Sequence, residues 1–239
     1  MNMRGLITSV AAGFSLLFAA PAAADPILLS DTNVGESFTI DFNGFVDGNV
    51  IVDGLGAQLT LTLTSIVGDV YNFAYSMTNT SDTDGGVDAR VSSFAFNTDP
   101  DISGATSTGT YNFTNIDSNY PNQIGTVDVC FQAANTGSCA GNRGGVYGGD
   151  TGTGTLSLSF DSALSSLTLD DFFVRYQSVT GAGDITSASG SQVSTSTSSG
   201  NEVPEPNMMI LFGLAALMIF AGTRRRRAVK PLAGRIAYS

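Results

Sequence analysis

The sequence contains no histidine and no tryptophan among its 239 residues. Without histidine, neither a Ser-His-Asp nor a Cys-His catalytic arrangement can form, and the usual general base near neutral pH is missing. Zinc bound through histidine is excluded for the same reason. The glycine clusters lie between strand patterns, without the following helix that a phosphate-binding loop needs. We therefore expect a protein without enzymatic activity, although a pair of carboxylates, as in glycosidases, leaves one catalytic alternative open.

Basic residues are scarce in the centre of the chain. Only Arg90, Arg143 and Arg175 lie between Asp25 and Pro206, whereas all 21 acidic residues fall in that span. Three positive and 21 negative residues give this segment a formal net charge of −18. Such a segment repels nucleic acid and anionic lipid, so no nucleic-acid partner is expected.

The first 24 residues have the order of a secretory signal peptide. Arg4 supplies the positive charge, an apolar stretch follows, and three alanines come directly before Asp25. This order predicts export through the Sec translocon and cleavage by signal peptidase between Ala24 and Asp25. The mature chain then begins at Asp25 and folds outside the cytoplasm.

The chain has two cysteines, Cys130 and Cys139, which bracket a loop rich in Gly and Asn. In an exported domain, two cysteines more often pair than stay free. Closing this loop stabilises the fold by roughly 2.5–3 kcal/mol in the chain-entropy model. The spacing excludes a Cys-x-x-Cys redox motif, and further metal ligands are lacking. We therefore predict a structural disulfide.

The centre of the chain alternates apolar and polar residues with a period of two. In QLTLTLTSIV, the leucines Leu59, Leu61 and Leu63 alternate with threonines, as in a half-buried strand. Turn signals such as Asp53-Gly54 separate further stretches of this kind. We therefore predict an all-β fold for residues 25–183, an antiparallel β-sandwich of the jelly-roll type. Apolar runs of helical length occur only at the two ends, as an N-terminal signal helix and a C-terminal transmembrane helix.

After residue 183 the composition changes to Ser, Thr and Gly. Ten of the fourteen residues from Thr186 to Ser199 are Ser or Thr. A segment of this kind has too little apolar surface to order itself, so we predict a disordered linker over residues 184–202. Its hydroxyl groups leave two alternatives open, a stalk that carries O-linked sugars and an unmodified spacer.

The stretch SDTDGGVD places three carboxylates, Asp82, Asp84 and Asp88, in one glycine-rich turn. Alternating carboxylates can converge on a hard cation, so this turn is a candidate calcium site, although its spacing is not that of an EF-hand. Aspartate is also common in turns for backbone reasons alone. Both interpretations remain open at this stage.

A sugar-binding surface is a second candidate, because aromatic side chains can stack against sugar rings. The sequence has no tryptophan for this purpose, but several tyrosines are available: Tyr71, Tyr111, Tyr120, Tyr147 and Tyr176. The alternating pattern predicts that several of these five belong to the core instead.

The C-terminal segment, residues 203–227, has three parts in a fixed order. They are the triplet Pro204, Glu205 and Pro206, an apolar run over residues 208–222, and a basic cluster of Arg224, Arg225, Arg226 and Arg227. As a helix the apolar run spans about 22 Å, against a hydrocarbon core of about 30 Å, so it is short for a permanent anchor. The arginines predict that the tail, residues 228–239, stays in the cytoplasm and the body lies outside.

This order of triplet, apolar helix and arginine cluster resembles the PEP-CTERM sorting signal of Gram-negative bacteria. The resemblance implies recognition by an exosortase, a membrane enzyme that acts like a transpeptidase. It also implies a transient intermediate in the inner membrane, with the body in the periplasm. Cleavage near the motif and transfer to the cell surface or the extracellular matrix would follow, much as a short apolar tail is exchanged in GPI anchoring.

The body resembles one PEP-CTERM subgroup, the cistern family, through stretches such as RVSSFAFNTDPDI, GTVDVCF and LTLDDFFVRYQSV. That family implies no enzyme activity, and PEP-CTERM systems accompany exopolysaccharide loci, so a partner exopolysaccharide and a role in biofilm follow by association. Two other functions stay open. One is a calcium-dependent carbohydrate-binding or carbohydrate-active domain, and the other is a periplasmic protein whose C-terminal anchor is never cleaved.

Overall fold

A computed structural model of the chain describes residues 25–141 and 143–198. Apart from one short 3-10 turn, Asp31–Asn33, every helix or strand in this part is a β-strand, which confirms the predicted all-β class. No helix among the described residues is long and apolar enough to cross a bilayer. The predicted signal peptide, the transmembrane run at 208–222 and the tail at 228–239 lie outside the described residues.

Fourteen strands make up the described part of the chain. In order they are β1 (Ile27–Leu29), β2 (Ser37–Phe42), β3 (Phe45–Val46), β4 (Val50–Ile51), β5 (Ala57–Val67), β6 (Val70–Asn79), β7 (Asp88–Asp99), β8 (Gly104–Ser107), β9 (Phe113–Tyr120), β10 (Gly125–Gln132), β11 (Val146–Tyr147), β12 (Thr151–Ser159), β13 (Leu167–Thr180) and β14 (Ser187–Ser198).

The period-two pattern produces one inward, apolar face along each long strand. In β5, Leu59, Leu61 and Leu63 are fully buried, while Thr60 and Thr62 between them face solvent. Each buried leucine contributes about 1.5–3 kcal/mol relative to an exposed one, so a shift of register by one residue is strongly disfavoured. Aromatic side chains from neighbouring strands fill the rest of the interior, among them Phe73, Phe94, Phe96, Phe131 and Phe172.

The strands form one continuous antiparallel sheet rather than the two separate sheets of the predicted sandwich. The order along the sheet is β8-β12-β6-β5-β2-β14-β13-β7-β10-β9. Its two end strands, β8 and β9, lie close together. The Thr114 hydroxyl on β9 donates to the Ala105 carbonyl on β8 at 3.1 Å. The sheet is therefore nearly closed and resembles a barrel.

Strand β14 joins the two halves of this barrel. Its first part pairs with β13 up to Ser191, its last part pairs with β2 from Gln192, and a register shift between Gln192 and Ser194 follows directly after the change of partner. A β-bulge bends a strand and increases its twist, which lets one strand serve both halves. We call β13, β7, β10, β9 and the first part of β14 the covered half, and the last part of β14 with β2, β5, β6, β12 and β8 the bare half, according to whether loops lie over the outward face.

The prediction of a disordered linker over residues 184–202 is wrong for Ser187–Ser198, which form β14. The first part of β14 has small residues at its inward positions, and side chains from neighbouring strands fill the space beside them. A Cβ atom at Gly190 would lie 2.2 Å from the Asn43 carbonyl oxygen and within 3 Å of Val174 and Tyr176. This strand therefore forms through small residues and backbone hydrogen bonds to its neighbours. It lacks the alternation of apolar and polar residues by which a strand is predicted from sequence.

The outward face of the covered half lies beneath loops. On β7, eight consecutive residues from Ala89 to Phe96 are buried, so both faces of that strand are shielded. A second, smaller apolar cluster sits on this outward face, separate from the barrel interior, and consists of Ala95, Tyr120, Val127, Cys130 and Cys139. The fold thus has a main core inside the barrel and a minor core outside one half of it.

Candidate functional site

The predicted disulfide between Cys130 and Cys139 is present. It holds the loop after β10 against the outward face of β7, where the Ser93 hydroxyl donates to the Cys139 carbonyl at 3.1 Å. The Gln177 amide adds a second tie by donating to the Ala140 carbonyl at 3.1 Å. The disulfide therefore holds the loop after β10 over the minor core.

A buried arginine lies within this covered layer. Arg175 is 7% exposed, and its guanidinium donates to the hydroxyls of Ser187 at 3.0 Å and Ser189 at 3.5 Å. With the Asn122 amide turned so that its oxygen faces these donors, that oxygen accepts from Arg175 Nη1 at 2.9 Å. Burial lowers the pKa of Arg175, and the nearby Tyr120 opposes this shift. Through these contacts Arg175, on β13, joins strand β14 and the turn between β9 and β10.

The acidic turn does not bring its three carboxylates together as metal ligands. Asp82 accepts a hydrogen bond from the Gly85 backbone N–H at 2.9 Å, and Asp88 accepts one from the Ala89 backbone N–H at 2.8 Å. Across residues 25–141 and 143–198, no group of three His, Cys, Asp or Glu side chains could hold a metal ion. Ordinary turn chemistry, the other interpretation of this segment, accounts for the contacts of Asp82 and Asp88.

Four of the five tyrosines considered for sugar stacking are buried, as the alternating pattern predicts. Tyr71, Tyr111, Tyr120 and Tyr176 are at most 1% exposed, whereas Tyr147 is 57% exposed. Burial raises the pKa of Tyr111 and Tyr176, and their hydroxyls donate to the backbone carbonyls of Val91 and Asn43. These four rings hold the core together and offer no stacking face to a ligand.

The outward face of the bare half presents rows of hydroxyl side chains across five strands, from β14 through β2, β5 and β6 to β12. The middle row is Ser196, Thr39, Thr60, Ser76 and Thr153, and each residue in it is paired with the next by the strand register. The row on one side is Ser198, Ser37, Thr62, Ala74 and Thr155, and the row on the other side is Ser194, Asp41, Gln58, Thr78 and Thr151.

Twelve of these fifteen positions are Ser or Thr, and none of the fifteen is buried. We call this surface the hydroxyl face. Neighbouring hydroxyls are joined in pairs, as between Ser37 and Thr62 at 2.7 Å and between Thr39 and Thr60 at 3.0 Å. Along each strand the outward positions repeat about every 6.6–6.8 Å, and neighbouring strands lie about 4.7–4.9 Å apart. The face is therefore a regular grid of oriented hydroxyl groups.

Sequence patterns indicate part of this face but not its rows. The alternation in QLTLTLTSIV already places Thr60 and Thr62 opposite the buried leucines. The alignment of threonines from distant parts of the chain depends on strand pairing, which short-range periodicity does not contain. The row position of Ser196 also depends on β14, which the sequence does not indicate as a strand.

Comparison with known proteins identifies one feature of the chain. The PEP-CTERM protein-sorting motif matches residues 202–227, the segment with the predicted triplet, apolar run and arginine cluster. No curated protein and no solved structure matches the chain. The chain therefore carries a PEP-CTERM sorting signal, as its C-terminal sequence predicts, whereas the cistern resemblance of the body stays a prediction.

This motif defines the general class of the protein. A chain with a PEP-CTERM signal is an exported protein that an exosortase processes at the membrane. The motif residues and the arginine cluster lie outside the described residues, so their identification rests on the sequence match.

Proposed function

We propose that the protein is a non-enzymatic component of the cell surface or extracellular matrix, delivered there by an exosortase and associated with exopolysaccharide in a biofilm. The observation that carries this proposal is the sorting motif at residues 202–227. The acidic body supports it, because a mature segment with three positive and 21 negative residues remains soluble once the basic C-terminal tail is removed.

The position of β14 constrains how the enzyme reaches its motif. The last described strand ends at Ser198, and the matched motif begins at residue 202. The chain from Ser198 to Pro204 spans at most about 20 Å when fully extended. Only five residues, 199–203, separate the end of β14 from Pro204, so no long Ser/Thr-rich stalk precedes the motif that the exosortase reads.

The proposal is tested by replacing the triplet and following the protein through cell fractions. In the variant P204A/E205Q/P206A, we expect the precursor to accumulate in the inner membrane, because the motif that the enzyme reads is gone. The matched control is Asp184→Asn, which removes an exposed acidic charge outside the matched segment and leaves the triplet intact. If the triplet variant and the control both reach the same final location as the unaltered protein, sorting through this motif is contradicted.

A rival function is that of a periplasmic protein that stays anchored by its C-terminal run. The fifteen apolar residues from 208 to 222 are short for a span, but arginine side chains can reach the interface and the bilayer can thin. This rival predicts that deletion of the exosortase leaves location and size unchanged. Our proposal predicts a larger, membrane-bound form in that deletion strain.

The calcium-dependent carbohydrate-binding alternative makes a separate prediction. A ligand that binds only the folded state raises its melting temperature, so calcium at millimolar concentration should stabilise the protein relative to excess chelator. We expect equal melting temperatures, because Asp82 and Asp88 are engaged in turn contacts and the described residues contain no cluster for a metal ion.

A further inference from the structure

We propose that the hydroxyl face of the bare half binds a neutral, hydroxyl-rich polysaccharide. This inference rests on the proposed matrix function and names the chemical class of its partner and the surface that contacts it. The partner is a chain of uncharged sugar units that lies across β14, β2, β5, β6 and β12.

The hydroxyl face carries much less charge than the rest of the body. Asp41 is the only charged residue among the fifteen positions, and its carboxylate accepts hydrogen bonds from Gln58 at 2.8 Å and Ser194 at 2.8 Å. A typical soluble surface is about 25–35% charged, which corresponds to about four or five charges in fifteen positions. The acidic residues that dominate this protein are thus concentrated elsewhere, and the face itself is nearly neutral.

The charge pattern also selects the partner. The surrounding body repels polyanions, because the span between Asp25 and Pro206 contains 21 acidic residues and only three basic ones. A cationic partner would be drawn to the acidic loops rather than to a nearly neutral face. An uncharged polymer is the partner that can lie against this surface without an electrostatic penalty.

The side chains of the hydroxyl face match the hydrogen-bonding groups of a sugar. The fifteen positions include no aromatic residue and no large aliphatic one, so neither ring stacking nor burial of an apolar surface drives binding there. A hydroxyl group offers one donor and two acceptor sites, and a sugar hydroxyl offers the same set. Hydroxyl groups on protein and polymer can therefore exchange hydrogen bonds in either direction.

The hydroxyls of the face are already oriented by contacts with one another. In the pairs Thr39–Thr60 at 3.0 Å and Thr78–Thr151 at 2.9 Å, one hydroxyl donates to the other, and both keep acceptor capacity. Threonine also has restricted rotamers, so little side-chain entropy is lost when a ligand binds. A preorganised grid of weak contacts suits a repeating polymer, because many contacts act along one chain.

The test uses the full chain purified in detergent and measures its retardation in native gels that contain a polymer. Dextran and hydroxyethylcellulose are the neutral probes, and alginate is the anionic contrast. We expect retardation by at least one neutral probe and none by alginate. The variant T39V/T60V/T153V removes three hydroxyls of the middle row while keeping side-chain shape.

We expect that variant to lose affinity about a hundredfold, because each net hydrogen bond is worth roughly a factor of five. The matched control is T126V/T168V/T180V, which removes three solvent-accessible hydroxyls from β10 and β13 in the covered half. Circular dichroism of both variants checks that they fold. Equal retardation of the two variants, binding to alginate as strong as to the neutral probes, or no binding to either neutral probe would each overturn the proposal.

This assay does not depend on the exosortase. Loss of binding with normal sorting would therefore refute the polysaccharide surface alone. Normal polymer binding by a protein that is not sorted would refute the proposed delivery by an exosortase and would still support polysaccharide binding by the hydroxyl face.

Discussion

The two outward faces of this barrel are built from strands of the same sheet and differ in what lies over them. On the covered half, loops and a disulfide bury the outward side chains, so that Ser93, Arg175 and Ser189 are each at most 7% exposed. On the bare half, the hydroxyls of the middle row remain open to solvent. The comparison shows that one residue type, serine, is structural where loops bury it and available to a partner where they do not.

The largest expected effect concerns β14, the strand that both halves share. The substitution Gly190→Val should lower the free energy of unfolding by about 3 kcal/mol or prevent folding, because its side chain would collide with the Asn43 backbone and Tyr176. The control Ser196→Val lies on the exposed side of the same strand and should change stability little. Chemical denaturation measures both. Equal stability of the two variants would mean that residues 187–198 are a linker after all.

Removing the disulfide tests the cover of the minor core. The double substitution C130A/C139A should lower the free energy of unfolding by roughly 2.5–3 kcal/mol, because a loop closed at a separation of 9 residues gains freedom in the unfolded chain. The hydroxyl face is distant in the sheet order, so binding to neutral polymers should be unchanged. A loss of binding that matches the loss of stability would show that the two halves are not independent.

Matched hydroxyl deletions sharpen the comparison further. Ser93→Ala removes a buried hydroxyl that bonds to Tyr120 and to the Cys139 carbonyl, and it should cost about 1–2 kcal/mol of stability. Thr60→Val removes an exposed hydroxyl from the middle row and should change stability by less than about 0.5 kcal/mol. Urea unfolding measures the free energy of unfolding of both variants. A larger loss of stability in Thr60→Val than in Ser93→Ala would contradict the view that only the covered half buries its outward hydroxyls.

The smallest effect concerns an acidic cluster on the covered half. Burial raises the pKa of Asp170 above its ordinary value, and the neighbouring Asp171, Asp128 and Asp99 carboxylates add to this rise. A raised folded-state pKa means that the folded protein binds the proton more tightly than the unfolded chain. Stability therefore falls as the pH rises from the ordinary carboxyl value through the raised one, and the cost is fully present at neutral pH.

Asp170→Asn removes this cost. After allowance for solvent screening, we expect the melting temperature to rise by about 1–2 °C at pH 7. Near pH 3 the carboxyl is protonated in both states, so the gain should disappear. Calorimetry at the two pH values measures the difference, and a gain that is larger at pH 3 would show that another interaction dominates.

The long strands were predictable because their apolar positions repeat every second residue, as Leu59, Leu61 and Leu63 do in β5. Strand β14 was not, because its inward positions include Ala188 and Gly190, and the apolar surface that covers them comes from other strands. The closure of the sheet depends on where β14 changes partner, which is a long-range property. A prediction from composition alone therefore assigned this central strand to a linker.

The candidate sites differ in the same way. The disulfide and the sorting signal follow from local chemistry and from the order of segments, so the sequence was sufficient for both. Arg175 contacts Ser187 and Ser189 on β14 and Asn122 in the turn between β9 and β10, which are distant from one another in the chain. The rows of the hydroxyl face likewise appear only when strand register is known, because their members lie far apart in the chain.

The central claim is that the C-terminal segment directs sorting and is then removed. The most direct test is the intact mass of the protein recovered from its final location. Our account predicts a polypeptide that begins at Asp25 and lacks the residues that follow the Pro204, Glu205 and Pro206 motif. A protein at that location that still extends through Ser239 would contradict the account.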